Sequence, residues 1–392
     1  MPSISHYSLA LLSICAGIAW ASEPEGSRPA KLALKLDRGI CIDRQVHSIP
    51  PTPDRIVHAD DLRLIKSMGF EFVKLIFNPV VFKSGDGLNA PNMGYFDLIV
   101  NYAVAEKLPV VVCIHPEWKY KEAVLGNPDE FSSFAGFMKA LSSHIARRWT
   151  CDQLALQLMT EPPPASPNPN DWNYWGKLQQ RLWQIVRAEM PKHTLILSGD
   201  MGGSIEGMDH ATPVPDENVM YTFTFYEPNL FAWQGDQSGP GGPWVPYLKN
   251  IPYPSGPEIL TNLPNILQPV PQPWQAEAKT RIENYAAERW DQKKLAARIA
   301  KLEEWKQRHG GKLKLWCAEF GCQQCAPPAD RRRYIRDMRQ LFDEHGIGWS
   351  YWSYNEAYSI MTLDRTPSGP AVAQTPDKAM LKALLPDKYP HD

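Results

Sequence analysis

The 392-residue chain has no basic run, and its 41 Lys and Arg almost balance its 43 Asp and Glu, for a net charge of −2. It therefore lacks the electrostatic footprint for nucleic acid or an anionic membrane surface. Only one C-x-x-C is present, at Cys322 and Cys325, with no second one and no H-x-x-x-H, so a zinc site is two ligands short. The first strand-like run continues as "RGICIDRQVHSIPPTP" without G-x-G-x-x-G, which removes the phosphate-binding turn of an open dinucleotide-binding sheet. G-x-S-x-G is missing too, and "GGSIEG" does not supply it, which argues against a serine nucleophile elbow. No internal repeat is visible beyond an alternation of strands and helices. No apolar run approaches the roughly 20 residues of a membrane helix.

What is present is apolar and aromatic: 43% hydrophobic residues and 14 tryptophans. Planar rings fill cores and also stack on sugar faces, and composition leaves both readings open. "LALLSICAGIA" (9–19) followed by "AWA" (19–21) has the apolar stretch and small-x-small cleavage form of a signal peptide, although no Lys or Arg precedes it. The expected organisation is a leader over 1–21, a linker over 22–35, and one domain over 36–388. Export would leave six cysteines, Cys41, Cys113, Cys151, Cys317, Cys322 and Cys325, an even number compatible with disulfides. The C-x-x-C reads as a small structural disulfide.

Apolar runs at 36–42, 72–77, 109–115, 154–162, 194–200, 219–228, 314–321 and 348–355 read as strands. Helical patterns lie at 60–69, 94–107, 128–149, 171–190, 281–309, 329–346 and 377–385, and the helix between strands five and six is short or degenerate. Strands apolar on both faces and separated by helices imply a parallel sheet covered on each side. Eight of them imply an α/β fold of the (β/α)8, or TIM, barrel class. Residues 229–280, rich in Pro, Gly and Trp, read as a long insertion after strand six, lying over the C-terminal face where such barrels keep their sites.

The C-terminal strand ends supply the chemistry. Strand one offers Asp43 and Arg44, strand two Lys74 and Asn78, and strand three His115 with Trp118 beyond. Glu161 ends strand four, Tyr226 and Glu227 strand six, Glu319 strand seven, and Trp352 and Asn355 strand eight. A single strand-end acid has an ordinary structural explanation. Two glutamates on strands four and seven lie nearly opposite across the barrel. Glycoside hydrolysis needs such a pair, one carboxyl protonated for the leaving oxygen and one ionised for the anomeric carbon. A metal on His115, Glu117 and Glu161 would follow no recognised ligand spacing, and neither metal nor cofactor is expected. The other histidines (His47, His58, His144, His193, His210, His345) read as surface or loop residues.

Over residues 36–356 the chain resembles glycoside hydrolase family 5, the cellulase-type barrels of clan A, as a divergent member. "TEPPP" is similar to the family's Asn-Glu-Pro motif and implies that Glu161 is the acid/base. "AEFG" is similar to the nucleophile motif and implies that role for Glu319. "FTFYEP" implies that Tyr226 hydrogen-bonds the nucleophile, "WSYW" that Trp352 stacks under a sugar, and "CIHPEW" that His115 is in the site. Three positions depart from the family. Lys74 stands where an Arg supports the nucleophile, losing the bidentate fork. Thr160 replaces the Asn before the acid/base, and Thr224 replaces a His on strand six.

The resemblance implies a retaining, endo-acting β-glycosidase on a β-linked glucan or related polysaccharide, with carboxyls about 5–5.5 Å apart. Trp118, Trp233, Trp244 and Trp274 are candidate sugar platforms or loop supports. The expected protein is a secreted or periplasmic monomer. Two alternatives stay open: a non-catalytic or weakly active carbohydrate-binding barrel, and a transglycosylase using the same carboxylates.

Overall fold

Phe72–Phe77, the second barrel strand, is buried at all six positions, Lys74 included. Such a strand needs apolar layers on both faces, and the chain supplies them by closing its sheet. In the computed structural model the barrel strands are β1 (Arg38–Val46), β2 (Phe72–Phe77), β3 (Val110–Ile114) and β4 (Leu154–Gln157). β5 (Leu195–Ser198), β6 (Val219–Phe225), β7 (Lys314–Phe320) and β8 (Gly348–Tyr351) complete it. Each pairs in parallel with its neighbours, and β8 returns to β1 with Arg38 opposite Trp349. This is the expected (β/α)8 barrel. The structure describes residues 32–46, 57–166, 168, 171–238, 241–355, 357–362 and 375–390, without the side chains of 43–46. The expected leader, most of the linker, His47 and the side chains of Asp43 and Arg44 lie outside the described residues.

Alternation along the strands separates two packing layers. Ile40, Val73, Leu75, Val110, Val112 and Leu156 belong to the core formed with the helices, whereas Phe72, Val111, Ala155, Ile196, Met220 and Trp316 form a second cluster. Leu34 and Leu36 join that second cluster, and the amide of Ala33 donates to Thr194 Oγ1 at 3.2 Å. The last residues of the expected linker are therefore part of the domain. Burying each such side chain contributes about 1.5–3 kcal/mol. None of the described helices is long and apolar enough to cross a membrane.

Local signals account for most helix ends. The Asn127 side chain accepts from the amides of Asp129 and Glu130 to start the helix Pro128–Arg148. A single turn at Met201–Gly203 and the short helix Ile205–Asp209 follow β5, in line with the degenerate pattern there. The single helix expected over 281–309 is two, Gln275–Glu288 and Gln292–Arg308. Arg289 takes the left-handed conformation that ends the first, and Asp291 caps the second through the Lys294 amide. An apolar period that runs through both helices concealed the break.

The insertion after β6 is more ordered than its composition suggests. It contains short helical segments at Asn229–Ala232, Val245–Tyr247, Pro257–Asn262 and Leu263–Leu267. Gln234, fully buried, donates to the carbonyls of Phe231 and Ile251 and accepts from the Ile251 amide. Tyr253 donates to Asp337 at 3.0 Å.

Two further expectations change. His144 and His193 are buried, with ring nitrogens 2.6 Å from Asp97 Oδ1 and 3.0 Å from the Trp149 carbonyl, respectively. The C-x-x-C forms no disulfide: the Cys325 thiol points at the Gln234 carbonyl, 2.6 Å away, and the Cys322 thiol at those of Phe231 and Gln323. The two sulfurs are turned to different acceptors.

Candidate active site

A cavity of 1440 Å³ opens at the C-terminal ends of the strands. His115, Trp118, Glu161, Thr224, Tyr226, Trp233, Glu319 and Trp352 line it; Lys74 and Thr160 do not. Both of the latter are fully buried beneath it, Lys74 against Glu319 and Thr160 beside the Cys113 thiol. The resemblance puts Thr160 among the substrate-binding residues, where the family's Asn bonds the sugar 2-OH; here it lies buried below the cavity lining.

Glu319 is 3% exposed, and both carboxylate oxygens are engaged. Lys74 Nζ stands 2.6 Å from Oε1 and donates a second bond to the Ala318 carbonyl at 3.0 Å. Tyr226 donates to Oε2 at 3.1 Å. Burial alone works against a charged Lys74, but the Glu319 carboxylate in contact with it outweighs burial and holds the amine above its usual range. Burial, with Glu319 beside it, raises Tyr226 well above the ordinary phenol value, so its hydroxyl remains a donor. The register between β6 and β7 shifts between Phe223 and Thr224, placing Thr224 opposite Glu319.

Glu161 is built differently. β4 leaves the sheet at Gln157, and four residues later Glu161 adopts φ = +47°. A non-glycine residue held there costs roughly 1–3 kcal/mol. A quarter of its side chain (26%) is accessible, and His115 Nε2 lies 3.9 Å from Oε2. Burial and the charge of Glu319 push its acid dissociation up to about 7, against opposing effects of Lys121, Lys74 and the Thr224 hydroxyl. Of two acids on one cavity, this one holds a proton near neutrality.

Aromatic rings frame the pair. Trp352 is set by its amide on the Phe320 carbonyl, and Lys74 Nζ stands 5.7 Å from its ring centre. Trp233 packs against Tyr226, while Trp118 lines the cavity and is 47% exposed. Trp244 is buried within the insertion, and Trp274 lies tilted against Tyr247 without lining the cavity. Glu227 lines it but is tied by both oxygens to Arg298, at 2.5 and 2.7 Å.

Two features escaped sequence reasoning. Asp236 and Tyr358 bond at 2.6 Å, joining the insertion to the segment after β8. Lys121 lies 1% exposed near Glu161 and donates to its carbonyl at 3.2 Å. Its signal was the i, i+3 spacing from Trp118, which puts both on one helix face.

The cellulase family (glycosyl hydrolase family 5) matches residues 51–358. Among curated proteins, Endoglucanase 3 of Fibrobacter succinogenes is 24% identical over 269 residues, covering 68% of this chain and 39% of that protein, so the match spans well under half of that relative's length. Endoglucanase C of Acetivibrio thermocellus is 22% identical over 329 residues, covering 80% and 89%. Among solved structures, the cellulose synthase subunit Z of Clostridioides difficile superposes with a TM-score of 0.69 at 21% identity, covering 90% of this chain and 100% of that one, a likeness of fold. With the family match running from before β2 to beyond β8 and taking in both cavity glutamates, the chain belongs to the cellulases of glycosyl hydrolase family 5.

Proposed function

We propose that the protein is a retaining, endo-acting β-glycosidase that cleaves a β-linked glucan, with Glu161 as acid/base and Glu319 as nucleophile. One observation carries the assignment of roles: two glutamates share a cavity in unequal surroundings, one fully engaged by a cation and a phenol, the other raised to about 7. In the first step Glu161 gives its proton to the glycosidic oxygen while Glu319 attacks the anomeric carbon, leaving a glycosyl ester on Glu319. In the second, Glu161 takes a proton from the water that hydrolyses the ester, and the anomeric configuration is retained. The endoglucanase names of the curated relatives support β-glucan as substrate. Secretion or a periplasmic location, and action as a monomer, belong to the same proposal.

Glu319→Gln is expected to abolish hydrolysis across β-glucans, mannans and xylans in a folded protein, because a neutral amide is no nucleophile. The wild-type enzyme should lose kcat/KM on the alkaline side as pH rises through about 7, where Glu161 gives up its proton. Wild-type protein that hydrolyses none of these glycans, together with a Glu319→Gln variant that binds one equally well, would identify a carbohydrate-binding barrel instead.

A further inference from the structure

Lys121 is a lysine without the partner its burial calls for. It lies on the helix Trp118–Gly126 and is 1% exposed. Among the described residues no carboxylate stands within ion-pair distance of it, although a buried cation is ordinarily paired. Its ammonium instead donates to the main-chain carbonyl of Glu161 at 3.2 Å and sits 5.9 Å from the ring centre of Trp118.

The carbonyl it holds belongs to the residue with φ = +47°, a conformation that persists only where surrounding groups enforce it. On the other side of that residue, a Cβ added at Gly203 would come within 3.5 Å of Glu161 Cα, and the Gly202 amide donates to the Pro162 carbonyl at 2.8 Å. Glu161 is thus clamped between a glycine turn after β5 and a buried ammonium after β3.

We propose that Lys121 is a positioning residue that acts on the reaction through Glu161, anchoring the main chain of the acid and placing a buried positive charge beside it. The proposal rests on the reading of Glu161 as acid/base given above. The charged and titratable groups around the pair are Glu319 on β7, Lys74 on β2, Cys113 and His115 at β3, and Tyr226 after β6. Burial and Glu319 raise the acid, whereas Lys121 lowers it, ahead of Lys74 and Thr224. Removing Lys121 should free the carbonyl and leave Glu161 a weaker, less well-aimed acid.

The test compares two aryl β-cellobiosides through kcat/KM, which reports formation of the glycosyl ester. A dinitrophenyl leaving group departs without a proton; a phenyl group needs one. Lys121→Met is expected to lose on the order of tenfold or more on the phenyl substrate, a fraction of what general acid catalysis contributes. It should stay within about twofold of wild type on the dinitrophenyl one, and the alkaline limb should move to higher pH. Equal losses on both substrates, or an unchanged limb and unchanged ratio, would overturn the proposal. Glu161→Ala is run beside it. If Glu161→Ala also loses both substrates equally, the assignment of the acid itself fails; if it shows the contrast and Lys121→Met does not, only the role of Lys121 fails. Lys121→Gln, which removes the charge and keeps a polar side chain, carries the same comparison if the methionine variant does not fold.

Discussion

The strand-seven and strand-four sides of the cavity hold the same functional group in opposite settings. On the strand-seven side, Glu319 lies within its strand, is 3% exposed, and has a partner on each oxygen. On the strand-four side, Glu161 sits beyond the end of its strand in a strained conformation, with a quarter of its side chain accessible. There the buried lysine grips the main chain and not the carboxylate. A cation in contact favours a standing negative charge, and a cation one peptide group away leaves room for a proton. Burial and the Glu319 charge raise Glu161, and the lysine nearest it is bonded to its main chain and not to its carboxylate.

Breaking the stronger contact should have the largest effect. Lys74→Met strands the Glu319 carboxylate with no other cation in contact among the described residues, and removal of one partner of a buried pair costs about 3–5 kcal/mol of stability. The same change should reduce kcat/KM by roughly 10²–10³, by analogy with the loss of other preorganised electrostatic contacts. Denaturant midpoints and steady-state kinetics on the same preparation measure both.

Swapping each acid for its amide sharpens the contrast, because the two variants should move stability in opposite directions. The folded-state value of Glu161 lies above its ordinary 4.5, at about 7, so the folded protein binds that proton more tightly than the unfolded chain does. The stability this contributes is full below about 4.5 and is lost as pH rises through about 7. Glu161→Gln cannot ionise and should be more stable than wild type at pH 8, by up to about 3.5 kcal/mol given roughly 1.4 kcal/mol per unit over the rise from 4.5 to about 7. Glu319→Gln leaves Lys74 without its counter-charge and should be less stable at the same pH. Two amide variants that shift the midpoint in the same direction would remove the distinction drawn between the sides.

Legibility in the sequence followed the same division. The strand-seven side was easier to read: the runs of β2 and β7 set Lys74 and Glu319 among apolar neighbours, so both were visible as anomalies. The motif after β4 identified Glu161 but not its backbone, because nothing in "TEPPP" states a left-handed residue. Lys121 was hidden for a related reason. It lies on the helix Trp118–Gly126, which the sequence patterns did not mark, and only the third dimension brings it beside the acid. The break at Arg289–Asp291 and the burial of His144 and His193 were missed where a long apolar period, or a polar residue type, stood in for knowledge of the neighbours. Cys322 and Cys325 were paired on spacing alone, whereas their direction decides the matter.

The tryptophans of the insertion divide along the same line between site and support, and they give the smallest expected effect. Trp233 lines the cavity beside Tyr226, while Trp274 packs on Tyr247 outside it. A ring that stacks on a sugar away from the bond being cleaved binds substrate and transition state alike, so its loss raises KM and spares kcat. Trp233→Ala is expected to raise KM on a soluble β-glucan about tenfold, equivalent to ~1.4 kcal/mol, with kcat within about twofold. Trp274→Ala should leave both constants near wild type and lower only the thermal midpoint. A drop in kcat for Trp233→Ala would move that residue from the binding wall to the support of Tyr226, and through it to the Glu319 side of the comparison.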